Sequence, residues 1–273
     1  MSSKRHNPAE PYVPDLGIIY PDNPDEHIGE LEKVHDIVVD ENYPFLDKSP
    51  KFRFMSFLVY LGIFTLVFFL NKLRFGLKIE GRDIIRKNRR AFKNGAMTVS
   101  NHVLRWDLLC VLQAVRYRRL YFPAWKENLS GKDNFWIRHA GGIPVPTDIH
   151  VIRKFNEAFD ELHARKKWFH VFPESSNWPY FQPIRPFKKG VFTMAYRYNI
   201  PLIPMAFSYR KRAGLFALFN KTYPLITLRI GEPIYPDMKL SRKEAVVLLR
   251  EECHKRIVEL AGIKNNPYPC EGD

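Results

Sequence analysis

Between Phe54 and Leu70 the chain runs for 17 residues without a charged side chain. No other apolar stretch in the sequence is as long, and it restricts what the rest of the chain can fold around. As a helix the run is ~25 Å long, somewhat short of a ~30 Å hydrocarbon core. Lys48, Lys51 and Arg53 precede it, and Lys72, Arg74 and Lys78 follow it. Positive charge on both flanks leaves orientation open, so a segment dipping into one leaflet fits as well as one that spans. A buried core helix is the soluble alternative. The phenylalanines and basic flanks favour lipid, and a membrane-associated helix is expected over residues 51–76.

That run divides the chain in three. Residues 1–50 form an acidic N-terminal arm, rich in proline and poor in periodic apolar positions, with a net charge of −7. It reads as extended or partly disordered, with room for a short helix near His27 to His35. No apolar core follows its first basic residues, so no cleavable signal peptide is expected. Residues 51–273 carry a net charge of +21. Such a basic body suits anionic lipid, phosphorylated small molecules or nucleic acid, and charge sign alone does not choose among them. Three widely spaced cysteines, Cys110, Cys253 and Cys270, suggest reduced thiols and a cytosolic face rather than a disulfide framework or zinc site. No His-Glu-x-x-His, P-loop or Gly-x-Gly-x-x-Gly motif occurs in the sequence.

From residue 77 onward apolar strands alternate with helical patterns. Ala96–Val99, Leu120–Pro123, Ile143–Val145, Phe169–Phe172, Leu202–Phe207 and Leu225–Ile230 read as strands. A helix is predicted from Asp148 to Arg165, with Ile149, Ile152, Phe155, Phe159 and Leu162 on its apolar stripe, and another from Ser241 to Ala261, opened by the capping box Ser241-x-x-Glu244. The expected fold is α/β: a mixed, largely parallel sheet flanked by helices, preceded by the membrane-associated helix.

His102 and Asp107 carry the first sign of chemistry. Five residues on a regular helix rotate by ~140°, which would point the two side chains apart. They meet only if His102 lies in the turn before a helix and Asp107 in its first turns. Ser100 or Asn101 is placed to cap that helix, and Trp106, Leu109, Leu112 and Val115 have helical spacing. An imidazole oriented by a carboxylate suits removal of a proton from an alcohol. Alone, a His-x4-Asp match is common among structural histidines.

Four further segments raise its value: Lys126-Glu127-Asn128-Leu129, Gly141-Gly142-Ile143-Pro144-Val145-Pro146, Phe172-Pro173-Glu174-Ser175-Ser176, and Pro186-Phe187-Lys188-Lys189-Gly190, with Ile200-Pro201-Leu202-Ile203-Pro204 after them. In order and spacing, from about residue 77 to 235, the chain resembles the glycerolipid acyltransferase family, including the 1-acylglycerol-3-phosphate acyltransferases. The resemblance implies transfer of an acyl group from acyl-CoA or an acyl carrier protein to a lipid hydroxyl, without cofactor, metal or covalent acyl-enzyme. His102 would be the general base and Asp107 its orienting partner. Backbone N–H groups near the helix start could stabilise the oxyanion. Lys126, Glu174, Ser175, Ser176, Lys188 and Lys189 would form the acceptor site.

Two departures bear on the acceptor. The family usually has Phe-Pro-Glu-Gly-Thr-Arg, whereas Ser175, Ser176 and Asn177 stand here, without the arginine that grips phosphate. The second block usually ends in arginine, and Thr147-Asp148 follow Pro146 instead. Arg153, Arg185 or the lysine pair could compensate. The expected partners are a membrane lipid acceptor, the acyl donor and an anionic membrane surface, with the active site on the cytoplasmic face. A catalytically altered, membrane-tethered lipid-binding protein of the same fold is the rival reading. Nucleic acid is not expected: Tyr117, Trp125, Trp136 and Trp168 are scattered among apolar runs, as core packing requires.

Overall fold

A computed structural model describes residues 11–28, 37–116, 118–219 and 222–269. A long helix comes first, built from α1 (Pro50–Gly62), a π turn (Ile63–Val67) and α2 (Phe68–Phe75). Then follow β1 (Lys78–Glu80), α3 (Arg82–Lys87), β2 (Met97–Ser100), α4 (Asp107–Val115), β3 (Leu120–Ala124), α5 (Lys126–Ser130) and α6 (Asn134–His139). The second half contains β4 (Gly142–Pro144), α7 (Ile149–Ala164), β5 (Trp168–Val171), α8 (Gly190–Tyr198), β6 (Leu202–Arg210), α9 (Leu215–Phe219), β7 (Leu225–Ile230) and α10 (Arg242–Ala261). Most of the helix expected near His27 to His35, and Cys270, fall outside the described residues.

The described strands form one sheet in the order β1-β7-β6-β2-β5-β3-β4. Every pairing is parallel except that of β6 with β7. This is the mixed, largely parallel α/β architecture that the strand and helix pattern predicts. All four residues of β2 are buried between β5 and β6, which is why a continuous apolar run marks it. β1 escapes the sequence reading because Lys-Ile-Glu at a sheet edge carries no apolar signal. Gly141 turns the chain into β4 at φ +110°, where an added Cβ would stand 2.2 Å from the Leu120 carbonyl oxygen. Only glycine fits there.

The sheet buries an apolar layer on each face. Ala96, Ile203, Met205 and Phe207 pack beneath the long helix and α4, while Met97, Val99, Leu202 and Ala206 pack beneath α7, α8 and α10. Ser241 and Glu244 cap α10 reciprocally, and Asp148 caps α7 by accepting from the His150 N–H at 2.8 Å. The buried stripe of α7 differs from the expected one. Val151, Ala158, Phe159 and Leu162 are inside, whereas Ile149 and Ile152 are exposed, since the inward face of the first turns runs through Val151 and Phe155, one residue around the helix.

The helix through the apolar run is longer than the run itself, 26 residues from Pro50 to Phe75, about 39 Å at 1.5 Å per residue. It is the one described helix long and apolar enough to cross a membrane. The rest of the protein follows it from end to end. The Phe52 ring stacks on His139 at 4.4 Å, the Tyr60 hydroxyl donates to the Ala140 carbonyl at 2.6 Å, Asn71 donates to Gln113 at 3.2 Å, and Arg212 donates to the Arg74 carbonyl at 2.9 Å. Phe54, Phe57, Leu58, Leu61, Leu66, Phe69, Leu70 and Leu73 face outward along the same length.

Candidate active site

His102 leaves the C-terminal end of β2, and the other expected residues leave the ends of β3 and β5, the edge where open α/β sheets bind ligands. The turn is held by Asn101, whose side chain accepts from the Phe207 N–H at 2.8 Å and donates to the Phe207 carbonyl at 3.3 Å. Asn101 therefore ties β2 to β6 and does not cap α4, as the sequence suggested. Nor does Ser100, whose hydroxyl donates to the Asn101 carbonyl.

With the chain fixed there, His102 and Asp107 meet. Their Nδ1 and Oδ2 atoms lie 2.7 Å apart, with Asp107 1% exposed and His102 18% exposed. The same Oδ2 accepts from the N–H groups of Val103 at 3.0 Å and Leu104 at 3.3 Å. This clasp lets a five-residue spacing work: the carboxylate reaches back over its own turn. It also occupies the Val103 and Leu104 N–H groups of the turn before α4, so these two do not serve as oxyanion donors. The Asp107 oxygen is the acceptor for two backbone N–H groups and faces Nδ1, so the hydrogen-bond geometry places a proton on Nδ1 and turns the lone pair of a neutral ring to Nε2. No described residue hydrogen-bonds Nε2. Phe172 stacks on the ring at 4.0 Å and 13°, and the Asn177 amide lies 2.9 Å from Nδ1.

Behind Phe172 stands His170, fully buried on β5, with the two rings edge to face at 4.3 Å. Burial drives its pKa down to about 3. The Thr98 hydroxyl donates to the Phe169 carbonyl at 3.1 Å, so His170 Nδ1, 2.9 Å away, is the donor to that oxygen. Its Nε2 is left buried without a partner. Burial keeps this imidazole neutral and away from the surface of the site.

Glu174 sits close to His102 but faces inward. One oxygen accepts from the His102 backbone N–H at 2.9 Å and the other from the Arg185 N–H at 2.9 Å, while the Arg185 guanidinium approaches to 3.3 Å. Burial pushes its carboxyl up, and the guanidinium and the two N–H groups oppose that. The loop that follows runs alongside the His102 turn, Trp178 N–H donating to the His102 carbonyl at 3.3 Å and Tyr180 N–H to that of Val103 at 2.9 Å. Glu174 is thus a strut behind the histidine. Ser176 is also buried and receives the Arg185 guanidinium at both its hydroxyl and its carbonyl. Ser175 is exposed at φ +63°.

The cations divide. Arg185 is 1% exposed and committed to Glu174, Ser176 and the Pro24 carbonyl, so it is no surface substitute for the missing arginine. Arg153 is an exposed residue of α7 beside Glu157. Lys126 opens α5 next to Trp125, Lys189 precedes α8, and exposed Lys188 pairs with Asp25 at 2.6 Å. The partner of Lys188 belongs to the acidic arm, which packs on this edge of the sheet. The Tyr20 hydroxyl donates to the Pro179 carbonyl at 2.7 Å, its ring stacks near Trp178, and Trp178 Nε1–H donates to the Glu26 carbonyl at 2.8 Å. His27 stacks on Trp125 at 4.1 Å and 10°. Burial lowers its pKa, helped by the nearby Arg185 and His102 charges. None of these arm contacts was readable from sequence, where Asn177 counted only as a lost arginine and Arg185 only as a spare cation.

Residues 76–208 match the family described as Acyltransferase. No curated protein matches the chain in sequence. Among solved structures it is similar to the crystal structure of the 1-acyl-sn-glycerophosphate (LPA) acyltransferase PlsC from Thermotoga maritima. The identity is 22% and the TM-score 0.50, with 79% of this chain and 84% of that one covered. At this identity the likeness speaks to the fold.

Proposed function

We propose that this O-acyltransferase, whose residues 76–208 belong to the acyltransferase family, moves a fatty acyl group from an acyl thioester to a lysophospholipid hydroxyl. That class includes 1-acylglycerol-3-phosphate. His102 Nε2 takes the proton from the acceptor hydroxyl as the oxygen attacks the thioester carbonyl carbon. Asp107 holds the Nδ1–H tautomer and stabilises the imidazolium, the roles of histidine and aspartate in a triad without its serine. Collapse of the tetrahedral intermediate breaks the C–S bond, and the imidazolium returns the proton to the departing thiolate. A thioester is activated enough that no protein nucleophile is needed. One observation carries this reading: the Nδ1–Oδ2 contact of 2.7 Å, with the carboxylate pinned by two backbone N–H groups.

The acyl donor is acyl-CoA or an acyl carrier protein, and the acceptor is drawn from a membrane. Because the long helix contacts the domain at Phe52, Tyr60, Asn71 and Arg74, upright insertion would drag part of the domain into hydrocarbon. It lies instead in the plane of one leaflet, apolar face down. Exposed Phe135 and Trp136 beside its first turns, and Leu215 and Leu218 near its last, extend that face. The buried thiols of Cys110 and Cys253, which form no disulfide, suit the cytoplasmic side.

The decisive variant is His102→Ala. Purified protein assayed with radiolabelled acyl-CoA and lysophospholipid should lose roughly 10²–10⁴-fold in kcat while still binding vesicles. Undiminished turnover would remove the general-base role. Thioester consumption that no acceptor stimulates would favour the lipid-binding alternative.

A further inference from the structure

We propose that the segment from Tyr20 to His27 is a built-in wall of the acceptor site, and that it makes this chain select lysophospholipids whose phosphate is a diester over those ending in a phosphate monoester. This rests on the acyl-transfer reading above and names its acceptor class. The argument is one of charge. A phosphate monoester carries about −1.5 to −2 near neutral pH because its second pKa is about 6, whereas a diester carries a single negative charge. Gripping the monoester calls for a fixed, planar, unspent cation.

Three of the groups nearest the catalytic pair do not supply it. Position 177 holds asparagine, and its amide is turned to His102 Nδ1 at 2.9 Å. The Arg185 guanidinium is buried and engaged by Glu174, Ser176 and the Pro24 carbonyl. Lys188 is met by Asp25 at 2.6 Å. Beyond Asp25, which is spent on Lys188, the same segment of the arm carries Asp22 and Glu26, both exposed. The arm is no loose tail. The Tyr20 ring sits between Trp178 and Phe181, at 5.7 and 4.6 Å, and Glu26 and Pro24 give their carbonyls to Trp178 and Arg185. His27 covers Trp125, the neighbour of Lys126. An acceptor reaching His102 passes this acidic edge, and like charge placed against it disfavours the dianion. Flexible lysines suffice for one negative charge.

The test uses the full-length protein with radiolabelled acyl-CoA and three acceptors in detergent micelles: 1-acylglycerol-3-phosphate, 1-acylglycerophosphocholine and 1-acylglycerophosphoglycerol. Both diesters should exceed the monoester in kcat/KM by about tenfold or more, a difference of about 1.4 kcal/mol in transition-state binding. Asp25→Asn should narrow the ratio by raising the monoester value several-fold more than the diester values. A wild-type preference for the monoester, or an equal effect of Asp25→Asn on all three, overturns the inference and leaves acyl transfer standing. Transfer to none of the three, with His102→Ala equally inert, sinks both.

Discussion

Two carboxylate pairs meet at His102, and they differ in span, access and purpose. His102 and Asp107 are five residues apart and open to the site through an imidazole that is 18% exposed. Glu174 and Arg185 are eleven residues apart and shut away at 3% and 1% exposure, gripping the backbone of the same histidine from behind. In the proposed reaction the first pair holds a group that changes charge in every turnover. The second must never do so, because a buried charge stripped of its partner is costly. The nearest carboxylate to a catalytic ring is therefore not automatically part of its chemistry: what matters is which atom it holds.

The sharpest way to break the contrast is Asp107→Asn. The amide would present an N–H where Nδ1–H needs an acceptor and would favour the wrong tautomer, so kcat should fall by roughly 10²–10⁴-fold with the melting transition little changed. Retained activity would show that the ring needs no orienting carboxylate. Glu174→Gln should invert the pattern. Leaving Arg185 buried without its countercharge should cost about 3–5 kcal/mol of stability in urea unfolding, with a smaller kcat loss in the protein that remains folded. A stable, slow Glu174→Gln enzyme would instead make Glu174 a substrate-facing group.

His170 sharpens the comparison as an imidazole that never charges. Its folded pKa, about 3, lies below the ordinary value of about 6.5, so the unfolded chain binds the extra proton. The stability it contributes is complete above about pH 6.5 and is lost as pH falls toward 3. Between pH 7 and pH 5 the loss from this residue should be about 2 kcal/mol. His170→Gln should flatten the unfolding free energy over that interval by the same amount. An unchanged pH slope would mean that His170 is already protonated, or already wet, in the folded protein.

Sequence legibility followed locality. β2, β5, β6 and β7 were readable because a strand buried on both faces is a plain apolar run, and α10 because its capping box lies within four residues of chain. The His102–Asp107 pair was readable for the same reason: its partners share one turn. The arm, by contrast, touches the site across 161 residues between Pro24 and Arg185, and Asn177 reaches His102 across 75. No periodicity encodes such contacts. The exposed Ile149 and Ile152 beside buried Val151 show the complementary failure, since helical spacing offers two overlapping apolar stripes without revealing which one faces the sheet.

If the long helix lies in one leaflet as proposed, its attachment along the α/β domain sets where new lipid would accumulate. An enzyme seated in a single monolayer draws acceptors from that monolayer and returns its two-tailed products to it. On that proposal each turnover would enlarge one sheet of the bilayer and not the other. Even growth then depends on a separate device that carries finished molecules across.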